Sequence, residues 1–176
     1  MLAFAAMKLV LSRSVIRPWR AGDEPFLRRN ADDRRVWINL RDAFPHPYSD
    51  SDAEQWVRHA AAQDPTTDFA IEVGGEPVGG IGLKPGEDVH WRSAEVGYWL
   101  GAAYWGRGIA SEALAAFSTW ALSRFDLLRL HAAVFEWNPA SMRVLEKCGY
   151  TREGVLKKSV VKDGRAIDQV MYALVP

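Results

Sequence analysis

Glu95-Val-Gly-Tyr-Trp-Leu-Gly-Ala-Ala-Tyr-Trp-Gly-Arg-Gly-Ile-Ala-Ser-Glu112 is the stretch whose reading decides the fold. Residues 95–100 have the β-branched and aromatic content of a strand, while Ile109, Ala113, Phe117, Trp120 and Phe125 recur at helical spacing. A helix is therefore expected from near Arg107, with a glycine-broken turn ahead of it. Gly106 and Gly108 lack a Cβ, so the backbone there can take angles closed to other residues and come close to a ligand. A helix start leaves about four N–H groups without partners and carries roughly half a positive charge. Phosphate is the ligand such a turn suits.

Three loop types share this physics, and the residues separate them. A Walker-type loop needs Gly-Lys-Ser/Thr at the end of its glycine run, whereas Gly108 is followed by Ile109-Ala110. A dinucleotide-binding oxidoreductase would show G-x-G-x-x-G and an acid after the next strand. Gly106, Gly108 and Glu136 fit that pattern, but Ser111 stands where the third glycine belongs. The third pattern, Gln/Arg-x-x-Gly-x-Gly/Ala, is the pyrophosphate loop of the GNAT superfamily of N-acetyltransferases. Trp105-Gly106-Arg107-Gly108-Ile109-Ala110 resembles it at Gly108 and Ala110 and departs from it at Trp105. A Trp-Gly-x-Gly-x-Ala loop is usual in the RimJ/RimL-type branch, which acetylates protein N-termini and various small amines. Gly97-Tyr98-Trp99-Leu100, Asn138-Pro139-Ala140-Ser141 and Gly149-Tyr150 resemble that branch too, and the likeness runs from Ile16-Arg17-Pro18-Trp19 to the C-terminus.

The resemblance implies an α/β (α+β) GNAT fold over a single domain, residues 1–176, with a mixed, twisted sheet of about seven strands and helices on both faces. It implies acetyl-CoA as co-substrate and a primary amine as acceptor, either a protein N-terminal amine or a small-molecule amine. The pantetheine arm and thioester carbonyl would lie on the strand end at Trp99, Leu100 and Gly101. The pyrophosphate would sit on Trp105, Gly106, Arg107, Gly108, Ile109, Ala110 and Ser111, with the Arg107 and Ser111 side chains as added donors. Asn138 and Ser141 would contact coenzyme A from the following helix, Asn138 also serving as its cap.

Amine acetylation needs two reactants held in line, a proton taken from the ammonium and a proton given to the leaving sulfur. Glu95, on the central strand, is the candidate proton acceptor. Many members of the superfamily carry a tyrosine as proton donor where this chain has Leu145. Ser141, one helical turn earlier on the same face, is the nearest hydroxyl and the second candidate catalytic residue. A coenzyme A-binding module without catalysis is the alternative. The acceptor's identity stays open among a ribosomal-protein N-terminus, a polyamine, an amino acid and an antibiotic.

Composition bounds the rest. A chain of 176 residues, 48% hydrophobic and 25% charged, is expected to form one globular domain. Lys+Arg and Asp+Glu are 22 each, so no global field draws in nucleic acid or a membrane. Cys148 is the single cysteine, and His46, His59, His90 and His131 lack ligand spacing, so neither a disulfide framework nor a metal is expected. Cytoplasmic location, as a monomer or homodimer, is the resulting expectation. Residues 1–7 are apolar but too short to span a bilayer and follow no basic segment, and Met7 resembles a second start. Residues 1–8 are accordingly expected to be a disordered extension.

Along the chain, residues 9–19 read as an opening strand closed by Pro18. Gly22-Asp23 marks a helix start, Asp32-Asp33 caps a short helix bearing Trp37, and Ser51-x-x-Glu54 forms a capping box. The stiff Phe44-Pro45-His46-Pro47-Tyr48 loop lies between. In the family these helices and their connection wall the acceptor site, so Trp37, Phe44, Tyr48, His90 and Trp91 are the candidate cleft residues. Gly74-Gly75 signals a hairpin, and Gly79, Gly80 and Gly82 in its second strand signal a bulge or close backbone approach. Residues 129–135 are expected beside residues 95–100, followed by a helix from Pro139 to Gly149 and a closing hairpin around Asp163-Gly164.

Overall fold

The structure, a computed structural model, describes residues 7–176; residues 1–6 of the expected extension lie outside the described residues. Met7 packs at the edge of the main core. The elements in chain order are β1 (Leu9–Val10), β2 (Val15–Pro18), α1 (Glu24–Ala31), α2 (Arg34–Trp37), α3 (Asp50–Ala61), β3 (Asp68–Val73) and β4 (Glu76–Pro85). They continue with β5 (Ser93–Leu100), α4 (Ile109–Arg124), β6 (Arg129–Phe135), α5 (Pro139–Lys147), β7 (Thr151–Lys162) and β8 (Arg165–Leu174). The described strands form one eight-stranded sheet in the order β1-β2-β3-β4-β5-β6-β8-β7. Every neighbouring pair is antiparallel except β5 and β6, which run parallel across the α4 crossover.

Strand alternation sends side chains to two cores. Along β3, Phe69 and Ile71 point to the larger one, under α4 and α5, where Leu114, Phe117, Leu130 and Leu145 are sealed from water. Each such side chain contributes about 1.5–3 kcal/mol by burial. Ala70 points the other way, to a smaller core of Trp19, Leu27, Tyr48, Ala53 and Val57 beneath α1 and α3. Alanine and glycine on that face of β3 and β4 leave room that Trp19, Phe44, Tyr48, Trp56 and Trp99 only partly fill.

Several local features differ from the sequence pattern for physical reasons. The opening strand is a tight hairpin, β1 and β2, because Leu11 N–H closes on Ser14 C=O and Glu112 of α4 accepts from the turn's N–H groups. The capping box of α3 is Ser49 with Asp52, not Ser51 with Glu54. Ser49 is the last extended residue, while Ser51 is already helical and its hydroxyl serves Gln55. Helix α4 begins at Ile109, two residues past Arg107, because Gly108 takes a left-handed φ of 75° that a helix cannot contain. The close approach expected in β4 is present. A Cβ on Gly79 would lie 2.2 Å from the Trp99 carbonyl oxygen, and the register shift falls opposite it, at Ile71/Glu72 of β3.

The feature that positions the site is how β5 leaves its parallel partner. Pairing with β6 covers Ser93, Ala94 and Glu95 and then stops, while β5 stays paired to β4 as far as Leu100. Beyond Glu95, β6 is engaged only by β8, so the sheet opens into a wedge between β5 and β6.

Candidate active site

The pyrophosphate-loop candidate closes one end of this wedge. Gly106 and Gly108 both have positive φ, and nothing lies within 4 Å of a Cβ placed on Gly106. The N-cap Gly108 has no side chain to bond the first helical N–H groups of α4, so that end keeps its donors and its partial positive charge. Trp105, the departure from the superfamily pattern, holds the loop in place. Its indole N–H donates to Leu100 C=O at 2.8 Å, pinning the loop to the end of β5. The Arg107 guanidinium stacks over Tyr104 at 5.4 Å. Arg13, from the β1–β2 turn, brings its Nε within 3.5 Å of the place a Gly108 Cβ would occupy. Nothing in the local pattern around Arg13 marks it as a loop neighbour, because Glu112 holds it there from 99 residues away.

Across the wedge stands α5. Asn138 caps it by accepting from Ser141 N–H at 3.2 Å, and Pro139 fits the first turn because it needs no hydrogen bond there. This helix start is therefore self-satisfied, in contrast with α4. The Ser141 hydroxyl lies 2.8 Å from the Tyr98 hydroxyl, whose single proton also has the Ser141 C=O within reach at 3.2 Å. Burial pushes the Tyr98 phenol well above its ordinary value, partly offset by the Ser141 bond, so Tyr98 remains a protonated donor. Leu145 is fully buried in the core. The Cys148 thiol is raised by burial and donates to Ser111 C=O, as a packed thiol rather than a nucleophile would.

A cavity of about 930 Å³ joins these parts. Its walls include Glu95, Trp99, Leu100, Trp105 through Ser111, Asn138 and Ser141, so it brings together all but one of the residues singled out from the sequence. Gly101 is the exception. It is buried against Asn30, whose Oδ1 would lie 2.4 Å from a Cβ there, and it donates to Val78 C=O. On α5, Arg143 and Lys147 add positive charge to the wall, one helical turn apart.

The cavity continues through the wedge to the opposite face of the sheet, where Phe44, Tyr48, Trp56 and Trp99 line it beneath α1 and α3. Phe44 meets Trp99 edge-on at 5.2 Å and Tyr48 at 5.0 Å. Of the other expected cleft residues, Trp37 stacks on His46 away from the cavity, His90 lines a separate pocket of about 220 Å³, and Trp91 is exposed. Glu95 borders both hollows and is ion-paired to Arg41. His131, its register partner on β6, is lowered by burial, an effect Glu95 partly opposes, and so stands neutral near pH 7. No group of His, Cys, Asp and Glu among the described residues could hold a metal ion. No described helix is long and apolar enough to cross a membrane.

The fold places an uncapped glycine turn at a helix start beside a central strand that has parted from its parallel neighbour, and the chain belongs to the acetyltransferase (GNAT) family, whose domain model matches residues 13–151. Among curated relatives it is 36% identical over 100 residues to the uncharacterized N-acetyltransferase YoaA of Bacillus subtilis, a match covering 57% of this chain and 56% of that one. The chain thus spans about half the length of the curated relatives it matches. Among solved structures, Mycobacterium smegmatis RimJ in complex with CoA-disulfide is 26% identical with a TM-score of 0.82, over 92% of this chain and 81% of that one. RimL, the ribosomal L7/L12 α-N-protein acetyltransferase in complex with coenzyme A, is similar in fold at 23% identity and a TM-score of 0.83, over 95% and 96%. The likeness to RimJ, together with 31% identity over 83 residues to the putative ribosomal N-acetyltransferase YdaF of Bacillus subtilis, supports the RimJ/RimL-type branch.

Proposed function

We propose that this chain is an acetyl-CoA-dependent N-acetyltransferase that acts on a primary amine in the cytoplasm, as a monomer or homodimer. The observation that carries the reading is the uncapped, left-handed start of α4 opening into the same cavity as the parted end of β5. A negatively charged diphosphate there would satisfy donors that no side chain satisfies. Bound acetyl-CoA supplies an acetyl group activated as a thioester. Residues 105–111 hold the pyrophosphate, with Arg107, Arg13 and the Ser111 hydroxyl as further donors. The N–H of Leu100, at the end of β5, orients the pantetheine arm, and Asn138 and Ser141 border it from α5. Ser141, backed by Tyr98, donates a hydrogen bond to the departing sulfur. Glu95 takes the acceptor's proton directly or through water once Arg41 releases it, and His131 beside it offers an exit. The acceptor enters from the Phe44–Tyr48 side. RimL, an α-N-protein acetyltransferase of ribosomal L7/L12, is a precedent for a protein α-amine, and a small-molecule amine fits the chamber equally.

Gly108→Asp tests the cofactor half, since it puts a side chain and a negative charge where phosphate approaches. Calorimetry should show coenzyme A affinity falling steeply in a folded variant, and wild-type affinity would disprove the loop assignment. Turnover with an amine panel tests the enzymatic half, separating a transferase from a module that only binds coenzyme A.

A further inference from the structure

Asp68 is a cavity-lining carboxyl that neither the motifs nor the family pattern singled out, and it stands on the acceptor side. It is half-buried at the first residue of β3, and its side chain is held rather than free. Gln63 Nε2 donates to Asp68 Oδ2 at 2.5 Å, while Gln63 Oε1 accepts from Thr67 N–H and Asp68 N–H, each at 3.0 Å. Among the described residues it has no ion-pair partner within 4.0 Å, unlike Glu95, which Arg41 neutralises. Burial raises its pKa despite the Gln63 bond, as expected for a carboxylate lacking a counter-ion. The charged groups around it are accounted for: His59 of α3 acts on it only at a distance, Lys84 of β4 lines the wall, and Arg41 is engaged by Glu95.

The sheet gives this carboxyl a direct line to the reacting region. Asp68 pairs with Gly82, and Gly82 pairs with Gly97 on β5, so the three positions form one row on one face. Two of the three have no side chain. Asp68 Oδ1 lies 2.3 Å from where a Gly82 Cβ would be, and a Cβ at Gly97 would meet nothing within 4 Å. The Asp68 carboxylate itself therefore fills the place over Gly82 and faces a trough above Gly97, about one strand spacing or 5 Å away. Its far end lies in the part of β5 that has left β6. Trp19 and Trp99 flank it one row on, over Gly80, and Phe44, Tyr48 and Trp56 complete an aromatic wall. A fixed carboxylate without a counter-ion, inside an aromatic chamber, is a cation site.

We infer that Asp68 is the acceptor-binding carboxylate, pairing with the ammonium of an alkyl- or arylalkylamine in the trough over Gly97, so that the cavity selects cationic primary amines over neutral ligands of the same shape. The inference rests on the acetyl-transfer reading for why an amine should be there, but not for where it binds. The test is calorimetric titration of the full chain, with coenzyme A present, using phenethylammonium and its neutral counterpart 2-phenylethanol. The wild type should prefer the ammonium about tenfold or more, as a charge-assisted pair in a shielded site does. Asp68→Asn should remove most of that preference and leave coenzyme A affinity unchanged. A variant that keeps the full preference overturns the inference. If Asp68→Asn does not fold, the wild type decides alone: saturating phenethylammonium should shift the Asp68 carboxyl carbon resonance, and an unmoved resonance refutes the assignment. Failure of the acetyl-transfer reading looks different, as absent coenzyme A binding beside an intact ammonium preference.

Discussion

At the residue scale, the proposed chemistry of the departing sulfur rests on a pair of hydroxyls. Ser141 alone would rotate freely, but Tyr98 lies 2.8 Å from it, closer than the 3.2 Å to its other acceptor, the Ser141 carbonyl. If Tyr98 donates to the Ser141 oxygen, the serine proton is left to point into the cavity. A positioned proton donor is typically worth about 10²-fold to 10⁴-fold, and a serine acting through a hydrogen bond belongs at or below the lower end. Ser141→Ala is therefore expected to lower kcat by up to about 10²-fold. Tyr98→Phe should give a smaller fall in the same parameter, with coenzyme A affinity nearly constant. Steady-state kinetics with a confirmed acceptor checks both, and an unchanged kcat in folded Ser141→Ala would leave water as the donor.

At the scale of the element, α4 does two jobs with its first turn. Its backbone offers donors to the ligand, while the Glu112 side chain turns outward to hold the β1–β2 turn through Ser12 and Arg13 N–H. Burial by itself would raise the Glu112 carboxyl, but the bonds from Ser12 and Arg13 outweigh it and hold the group below its ordinary 4.5. A carboxyl depressed in the folded state adds stability that is complete above the unfolded value and vanishes as pH falls through the folded one. Glu112→Gln should thus destabilise the chain at pH 7 by about 1.5 kcal/mol, the lower end for hydrogen bonds to a charged group. The gap between variant and wild type should close as pH falls below 4.5. Urea midpoints at pH 7 and in mild acid measure it, and a gap independent of pH would show that the charge is irrelevant.

At the scale of the whole molecule, the acceptor wall is braced by a hairpin from the far end of the chain. Lys162, 1% exposed at the tip of β7, reaches Asp42 at 2.6 Å and places its Nζ 3.6 Å from the centre of the Trp37 ring. Arg34 reaches Asp163 from the opposite direction at 2.6 Å. These contacts fix the α2–α3 connection that carries Arg41 and Phe44 into the cavity. Lys162→Met removes the cation from the ring and leaves Asp42 to water, at a cost of about 1–2 kcal/mol. The acceptor's KM should rise severalfold while coenzyme A binding stays unchanged. An equal loss of both would point to general destabilisation instead of a loosened wall.

The half of the site proposed to bind the cofactor was visible in the chain as local structure because it is contiguous. Residues 95–111 form one strand, one turn and one helix start, and local rules about glycine, capping and periodicity suffice to read them. The same rules placed Asn138 and Ser141 at a helix start. They also misplaced what depends on competition between neighbours: which serine caps α3, where α4 begins, and the turn that splits the opening strand into β1 and β2. The acceptor half was only partly legible. The aromatic-proline loop pointed to Phe44 and Tyr48, but Asp68, Gln63, Arg13 and Tyr98 gave no local sign of their roles. Asp68 faces the reacting region only because β3, β4 and β5 are in register with glycines at two of three positions, and Arg13 reaches Gly108 only through Glu112. Sequence alone thus determined most of the elements and the glycine turn proposed to hold the cofactor, which are set by bonds within a few residues. Tertiary structure decided which charges face one another across the cavity, because those distances depend on strand register and on contacts between residues about a hundred positions apart.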